Sequence, residues 1–382
     1  MVSEGSKLRG ELTDLTVELA QKSSALLHSL PEHVAGSLSD LVRSMNCYYS
    51  NLIEGHNTHP IDIERALKED FSDNPHQRDL QLEAKAHITV QAWIDSGAIK
   101  GKALTEEAIR MMHEKFCELL PEELLWVEHP TTKEKLRVIA GEYRKHDVQV
   151  GRHVAVSPEA VSAFMGRFET AYSKLGKTET VLAAACAHHR LLWIHPFLDG
   201  NGRVARLMSH AVLLDTLDTG AIWSVARGLA RNVESYKGHL ASCDLPRRND
   251  LDGRGTLSEE SLAAFAKFFL ETCIDQVKFM EALIQPKTLR TRIQKWAADA
   301  IALDRLPPKS GAILDAILYR GELPRGEVAD VVGLGDRQGR RIVSSLLEEG
   351  VIRSESTRAP LRLVFPASLA GQWMPGLFPE KE

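Results

Sequence analysis

Apolar residues recur at helical spacing along most of this chain. Leu8, Leu12, Leu15 and Leu19 step by four, three and four, and Leu38, Leu41, Val42, Met45, Tyr48 and Leu52 resume the period after Pro31 interrupts it. Gly55 sits where a C′ glycine would end the second of these helices. A third helix is expected after Pro60, with others over 77–96 and 105–119. Thr105 suits an N-cap, and Glu106 and Glu107 follow it in the first turn, where the helix dipole favours acidic side chains. The texture changes in "KLRVIAGEYRKHDVQVGRHVAV". Arg137, Ile139, Val148, Val150, Val154 and Val156 alternate there around turn residues, which predicts a small hairpin as the only strand-like stretch of the central region. Ser157, Pro158 and Glu159 open another helix, and helical texture then runs to Leu217.

A further helix is expected over 258–283, with Glu259 and Glu260 as its acidic start. The paired prolines of "LDRLPPKSG" stop any helix and mark a linker. Beyond it the pattern predicts helices over 309–318, 325–332 and 336–350, then short strands over 351–354 and 361–365. Three helices followed by a two-stranded wing describe a winged helix-turn-helix.

Composition narrows the class. A formal net charge of -5 gives the chain no global attraction for nucleic acid or anionic membrane, so any such contact must come from a local patch. Cys47, Cys117, Cys186, Cys243 and Cys273 are far apart and form no C-x-x-C pair, so buried free thiols are expected rather than disulfides or a zinc site. The opening residues lack an apolar segment, and no run is long enough for a membrane span. The expectation is a cytoplasmic protein with no membrane partner.

Candidate chemistry concentrates in "WIHPFLDGNGRVARL", residues 193 to 207. Gly200 and Gly202 flank Asn201, and helix texture follows. A glycine-rich turn entering a helix aims backbone N–H groups, and the positive end of the dipole, at one point, which makes an anion cradle. Arg203 and Arg206 lie one helical turn apart, where guanidinium forks clamp phosphate oxygens. Asp199, beside such a cradle, is a natural Mg²⁺ ligand. His195 stands four residues earlier and suits a general base taking a proton from an attacking hydroxyl. Together these residues imply phosphoryl or nucleotidyl transfer to a hydroxyl.

The run resembles the signature of the Fic-domain family, H-x-F-x-[D/E]-G-N-G-R-x-x-R, and matches it at His195, Phe197, Asp199, Gly200, Asn201, Gly202, Arg203 and Arg206. His188 falls where the family often carries a histidine before the motif, and the resemblance extends over most of 50–236. It implies a mainly α fold: a Fic helical core with a small β-hairpin flap, joined here to the C-terminal winged helix-turn-helix. The expected segments are an N-terminal helical region over 1–75, the catalytic core over 76–245, a helical extension and linker over 246–305, and the winged helix over 306–382.

Family members typically transfer AMP from ATP to a Ser, Thr or Tyr hydroxyl of a protein, releasing pyrophosphate. The resemblance makes His195 the general base and Asp199 the Mg²⁺ ligand. It gives Gly200, Asn201, Gly202 and Arg203 to the α- and β-phosphates and Arg206 to the γ-phosphate, with Phe197 as an apolar anchor under the loop. Relatives that act as kinases depart from the signature at the second glycine, so Gly202 favours AMP transfer. "GEYRKHDVQVG" is similar to the family's flap, which implies a target protein docking by strand addition between Val148 and Gly151. "ARNVESYKGHL" is similar to a stretch that places Asn232 and Tyr236 near the nucleotide base.

Ser50, Glu54 and Gly55 resemble the family's inhibitory motif, [S/T]-x-x-x-E-[G/N], placed before the core. The resemblance implies that Glu54 pairs with Arg206 and keeps it from the γ-phosphate. Some relatives use the same glutamate to hydrolyse AMP from a target, so a de-AMPylase is an alternative. Another, of a different class, is a winged-helix DNA-binding regulator with a nucleotide-sensing core. In the tail, Arg337, Arg340 and Arg341 lie near the start of the expected recognition helix, although acidic residues nearly balance basic ones there. DNA and a homodimer partner both stay open. His56, His59, His146 and His153 share no metal-ligand spacing and receive no role.

Overall fold

The computed structural model describes residues 1–128 and 132–379; residues 129–131, and the last three of the expected C-terminal domain, lie outside the described residues. The helices are α1 (Arg9–Leu27), α2 (Glu32–Ile53), α3 (Pro60–Leu67), α4 (Pro75–Asp95) and α5 (Glu106–Glu118). Two hairpins follow, β1 (Trp126–Glu128) with β2 (Lys135–Arg137), and β3 (Gln149–Val150) with β4 (His153–Val154). Next come α6 (Pro158–Tyr172), α7 (Lys177–Ile194), α8 (Asn201–Leu217), α9 (Val225–Arg231), α10 (Val233–Cys243), α11 (Glu259–Ile284) and α12 (Pro286–Ala302). The chain ends with α13 (Ser310–Arg320), β5 (Glu322–Leu323), α14 (Val328–Val332), α15 (Asp336–Glu348), β6 (Ile352–Arg353), β7 (Leu361–Leu363) and α16 (Ala370–Trp373).

Packing gathers these elements into two compact units. The first comprises Met1–Ser23, Asn46–Thr219 and Ser224–Gln276; the second comprises Ser24–Met45, Gly220–Trp223 and Val277–Glu382. At the centre of the first unit, α7 buries an unbroken run from Val181 to His189, and α8 is buried along most of its length. Helices that hide every face lie inside a bundle. Alanines at 183, 184, 185 and 187 let neighbours approach α7 closely.

Local signals explain the helix starts. Thr105 caps α5, its hydroxyl accepting the Ala108 N–H at 3.2 Å. Asn74 caps α4 and Ser224 caps α9 in the same way. At the end of α2, Gly55 adopts φ +89°, and the His56 N–H donates back to the Asn51 carbonyl at 2.9 Å. That six-residue closure is a Schellman ending, which a residue with a Cβ would strain. All five cysteines are free and buried. No helix among the described residues is long and apolar enough to cross a membrane.

Several boundaries differ from expectation. The single hairpin expected around 135–156 is two: Lys135–Arg137 pairs with Trp126–Glu128, and the later ladder holds only Gln149 with Val154 and Val150 with His153. Ile139, Val148 and Val156 fall outside any strand, so their alternation does not mark a continuous ladder. In the second unit, the helix expected over 325–332 is split into a tight 3₁₀ turn at Arg325–Glu327 and the short α14, because Pro324 leaves the chain little room to wind. The strands there form a three-stranded antiparallel sheet in the order β5-β7-β6. Strand β5 is two residues long, too short for alternation to register. Helix α12 was also not anticipated, although it buries Leu289, Ile293, Trp296, Ala297 and Ala300 along one stripe.

Candidate active site

The loop 195–200 joins α7 to α8, and Arg144, His113 and Asn201 hold its shape. His195 ends α7 in the left-handed region, φ 52° and ψ 62°, a conformation a non-glycine residue keeps only under constraint. The constraint is Arg144, a buried guanidinium that donates to the His195 carbonyl at 2.7 Å, the His146 carbonyl at 2.9 Å, the Ile194 carbonyl at 3.4 Å, and the Val156 carbonyl. Its own N–H donates to the Pro196 carbonyl at 2.9 Å. One side chain therefore fixes both the turn and the base of the β3–β4 hairpin.

His113 of α5 is the platform beneath the turn. Its ring stacks flat on Phe197, 3.9 Å between centroids and 1° between planes, and its Nδ1 accepts the Gly141 N–H at 3.0 Å. Phe197 is fully buried. Gly200 adopts φ +78° directly over this ring, where a Cβ would come within 3.5 Å of His113. Asn201 then laces the turn shut: its amide donates to the Phe197 carbonyl at 2.8 Å and accepts the Phe197 N–H at 3.0 Å. The Asn201 side chain thus serves the loop, and what it offers a phosphate is its backbone N–H. No side chain caps α8, so the first-turn N–H groups of a 17-residue helix face the cleft without an intrahelical partner.

His195 is set up as a base. Its Nδ1 lies 3.2 Å from the Leu192 carbonyl, which can only accept, so Nδ1 carries the proton and Nε2 the lone pair. Burial drives its pKa down to about 4, against a smaller opposing effect of that hydrogen bond. The imidazole is neutral at physiological pH. Asp199 is exposed beside it, and no hydrogen bond or ion pair occupies its carboxylate among the described residues. No group of three or more His, Cys, Asp or Glu able to hold a metal occurs among the described residues.

Both motif arginines are already engaged. Arg206 donates from Nε to the Ser50 hydroxyl at 2.8 Å, and from Nη2 to the Ser50 carbonyl at 3.2 Å and Glu54 Oε1 at 2.5 Å. The Glu54 carboxylate also lies directly over Gly202, where any Cβ would collide with it. Burial works to raise the Glu54 pKa, but the Arg206 guanidinium prevails and holds the carboxyl below the usual range. Ser50 and Glu54 therefore meet on Arg206, while Gly55 closes the end of the helix that carries Ser50.

Arg203 turns elsewhere. Its Nη2 donates to Glu83 Oε2 of α4 at 2.8 Å, its guanidinium lies 5.1 Å above the Phe116 ring, and His56 Nδ1 shares the same Glu83 oxygen at 2.8 Å. His56, given no role from the sequence, is thus part of the arginine's surroundings. Tyr236 is buried against Arg206, and Asn232 is exposed at the start of α10. Ser209 donates to the Ala205 carbonyl, so it must accept from His188 Nδ1 at 2.8 Å; His188 Nε2 then accepts the Tyr236 hydroxyl at 2.7 Å. This directed chain lies within the helix layer, and burial drives the His188 pKa to about 3, keeping it neutral. Asn232 donates to the Gly228 carbonyl at 3.0 Å, bracing the junction of α9 and α10.

Glu83, Arg144 and His113 escaped the sequence reading. Arg144 stood inside the quoted hairpin stretch, one residue after Tyr143, but nothing in its spacing told a carbonyl clamp from a surface arginine. Glu83 and His113 carried no signal beyond lying on predicted helices.

Residues 103–213, which include the two central helices and this turn, match the model of the Fic/DOC family. The chain is 32% identical over 173 residues to a protein adenylyltransferase Fic of Nematostella vectensis, a match covering 44% of this chain and 36% of that protein. It is 42% identical over 78 residues to the protein adenylyltransferase Fic of Drosophila willistoni, covering 19% of this chain and 15% of that one. The chain thus spans little more than a third of one curated relative and far less of the other. Among solved structures, a Fic family protein from Desulfovibrio desulfuricans shares the fold over 95% of this chain and 97% of its own, with a TM-score of 0.52 at 17% identity. A Fic domain containing signaling protein from Bacteroides thetaiotaomicron covers 70% of this chain and 96% of its own, with a TM-score of 0.51 at 21% identity.

Proposed function

We propose that this chain is a self-inhibited protein adenylyltransferase. The observation that carries the reading is a neutral His195 with a free Nε2 beside the uncapped α8 N-terminus, while Arg206 is withheld by Ser50 and Glu54. The α- and β-phosphates of ATP would rest on the α8 N–H groups of the Gly200–Arg203 turn and, once Glu54 withdraws, the γ-phosphate on Arg206. A Ser, Thr or Tyr oxygen of the target attacks the α-phosphorus. The bond to the β-phosphate oxygen breaks, pyrophosphate leaves, and the hydroxyl proton passes to His195 Nε2. The exposed carboxylate of Asp199 fits Mg²⁺, a hard cation that takes one or two protein oxygens and completes its shell with phosphate and water. When bound, it would neutralise phosphate charge.

The target is proposed to dock on the β3–β4 hairpin, where Val150 and Val154 are 51% and 69% exposed and the two-residue strands leave their outer edges open. Five free buried thiols support a reducing, cytoplasmic setting. ATP labelled at the α-phosphate, incubated with the full chain and candidate proteins, is expected to label protein, whereas ATP labelled at the γ-phosphate is expected not to. Label from the γ-phosphate alone would make the chain a kinase and overturn the proposal.

For the second unit, the helices α13 to α15 and the β5-β7-β6 sheet support a winged-helix reading. Arg337, Arg340 and Arg341 are exposed on α15 with no acidic partner among the described residues. On that reading α15 enters a DNA major groove. The full chain should bind duplex DNA with an affinity that falls as salt rises, and replacing all three arginines by alanine should flatten the salt slope by roughly two to three. An unchanged slope would retire the DNA partner.

A further inference from the structure

His153 lies in the hairpin with an oxygen acceptor at each ring nitrogen. Its Nδ1 is 3.2 Å from Asp244 Oδ2, and its Nε2 is 2.9 Å from the Trp193 carbonyl. Neither partner carries a proton. A neutral imidazole has one N–H, so in this geometry it would face one oxygen with a lone pair, whereas the imidazolium donates to both. The proton has no rival home on the second histidine of the cluster. His189 Nε2 lies 2.9 Å from Asp244 Oδ1, and its Nδ1 faces the Arg190 guanidinium at 3.3 Å. That Nδ1 must accept, so His189 is a neutral tautomer donating through Nε2. Burial, the largest influence on it, lowers its pKa and agrees.

The helix ends point the same way. Trp193 is in the last turn of α7, whose terminal carbonyls have no intrahelical donors and form the negative end of the dipole. A cation is favoured there. Asp244 is the C-cap of α10, a position where a carboxylate opposes the dipole and gains from a cationic partner.

We propose that His153 is a charged latch that ties the β3–β4 hairpin at once to the end of α7 and to Asp244, and so positions the surface on which a target segment docks. The inference rests on the adenylyltransferase reading only for what docks there. The hairpin needs such a tether, because its ladder is two residues on each side and its outer face is exposed.

The groups facing His153 set its response to pH. Asp244 favours the charged form; Arg144 from beneath the hairpin, Arg190 and His189 from α7, and His195 in the turn are basic groups that do not. The hydrogen bond to Asp244 outweighs burial and raises the His153 pKa above the ordinary histidine value. Asp244 itself is held at about 2, where burial is overcome by the two imidazoles, so it stays ionised wherever His153 titrates. The latch is therefore complete below the raised pKa of His153 and fails as pH rises through it.

The test uses the full chain without nucleotide or target. The His153 ring is followed by NMR from about pH 6 to about pH 9, and amide exchange of residues 148–156 is followed over the same range. The expected result is a His153 midpoint above that of an ordinary histidine. Hairpin protection should drop about tenfold across it, beyond the intrinsic pH dependence of exchange. Asp244→Asn should move both changes to lower pH together, and His153→Gln should give weak protection at every pH. A His153 midpoint at or below the ordinary value, or hairpin protection indifferent to both the titration and the two variants, would overturn the latch. In the transfer assay His153→Gln should raise KM for the target about tenfold and leave kcat at saturating target nearly unchanged. If the ring and the hairpin respond together while the wild type transfers nothing, the latch stands and the adenylyltransferase reading falls.

Discussion

Replacing Glu54 by glycine is expected to raise AMP transfer by about ten- to a hundredfold, read as α-phosphate label on protein. Glu54 acts at the cleft in two ways. Its carboxylate pairs with Arg206, whose Nε and Nη2 also bond Ser50, so the Nε–Nη2 fork is not open to a phosphate. It also covers Gly202 at the α8 N-terminus, placing negative charge where a phosphate would sit. Triphosphate must then bind displaced, and displacement of the α-phosphorus from the line of attack is what slows transfer. Glycine removes the charge and the bulk together. Glu54→Gln keeps the bulk and loses the charge, so its gain should fall between wild type and glycine. Ser50→Ala should give a smaller rise, since it frees Nε of Arg206 and leaves the Glu54 pair intact. Equal labelling by wild type and Glu54→Gly would remove the brake from the account.

How much of this site could be read in advance depended on where its parts lie in the chain. His195, Asp199, Gly202 and Arg206 stand within twelve consecutive residues, so their chemistry is visible as a pattern. Glu54 was visible because a serine, a glutamate and a glycine kept fixed offsets at a helix end, and the fold brings that end to Arg206. Arg144, Glu83 and His113 act through contacts made by separate segments, and no local periodicity encodes a contact between them. The surroundings of Arg203 were not legible either: the guanidinium beside the glycine turn also pairs with Glu83 and lies over the Phe116 ring. Asn201 is a similar case, its amide spent on the turn that it shapes. The helical architecture was legible because long amphipathic stripes dominate, whereas strands of two or three residues, such as β1 and β5, are too short to impose a period.

Replacing His195 by alanine, in the Glu54→Gly background where transfer is fast enough to measure, should lower kcat by roughly 10²–10⁴ and leave ATP affinity close to unchanged. Affinity survives because the imidazole's hydrogen bond, to the Leu192 carbonyl, reaches back into α7, and other groups hold the loop. The backbone of residue 195 is clamped by Arg144 through its carbonyl, and the turn is closed by Asn201 and supported by His113. What is lost is the lone pair at Nε2. The pH profile follows from the same burial. With its pKa lowered to about 4, His195 is neutral through the physiological range, so kcat should be flat there and fall only on the acid side, as the ring gains a proton and ceases to accept one. An activated enzyme whose rate instead climbs through the ordinary histidine range would show a base with an unshifted pKa, and the imidazole of residue 195 would then be open to solvent when the nucleotide is bound.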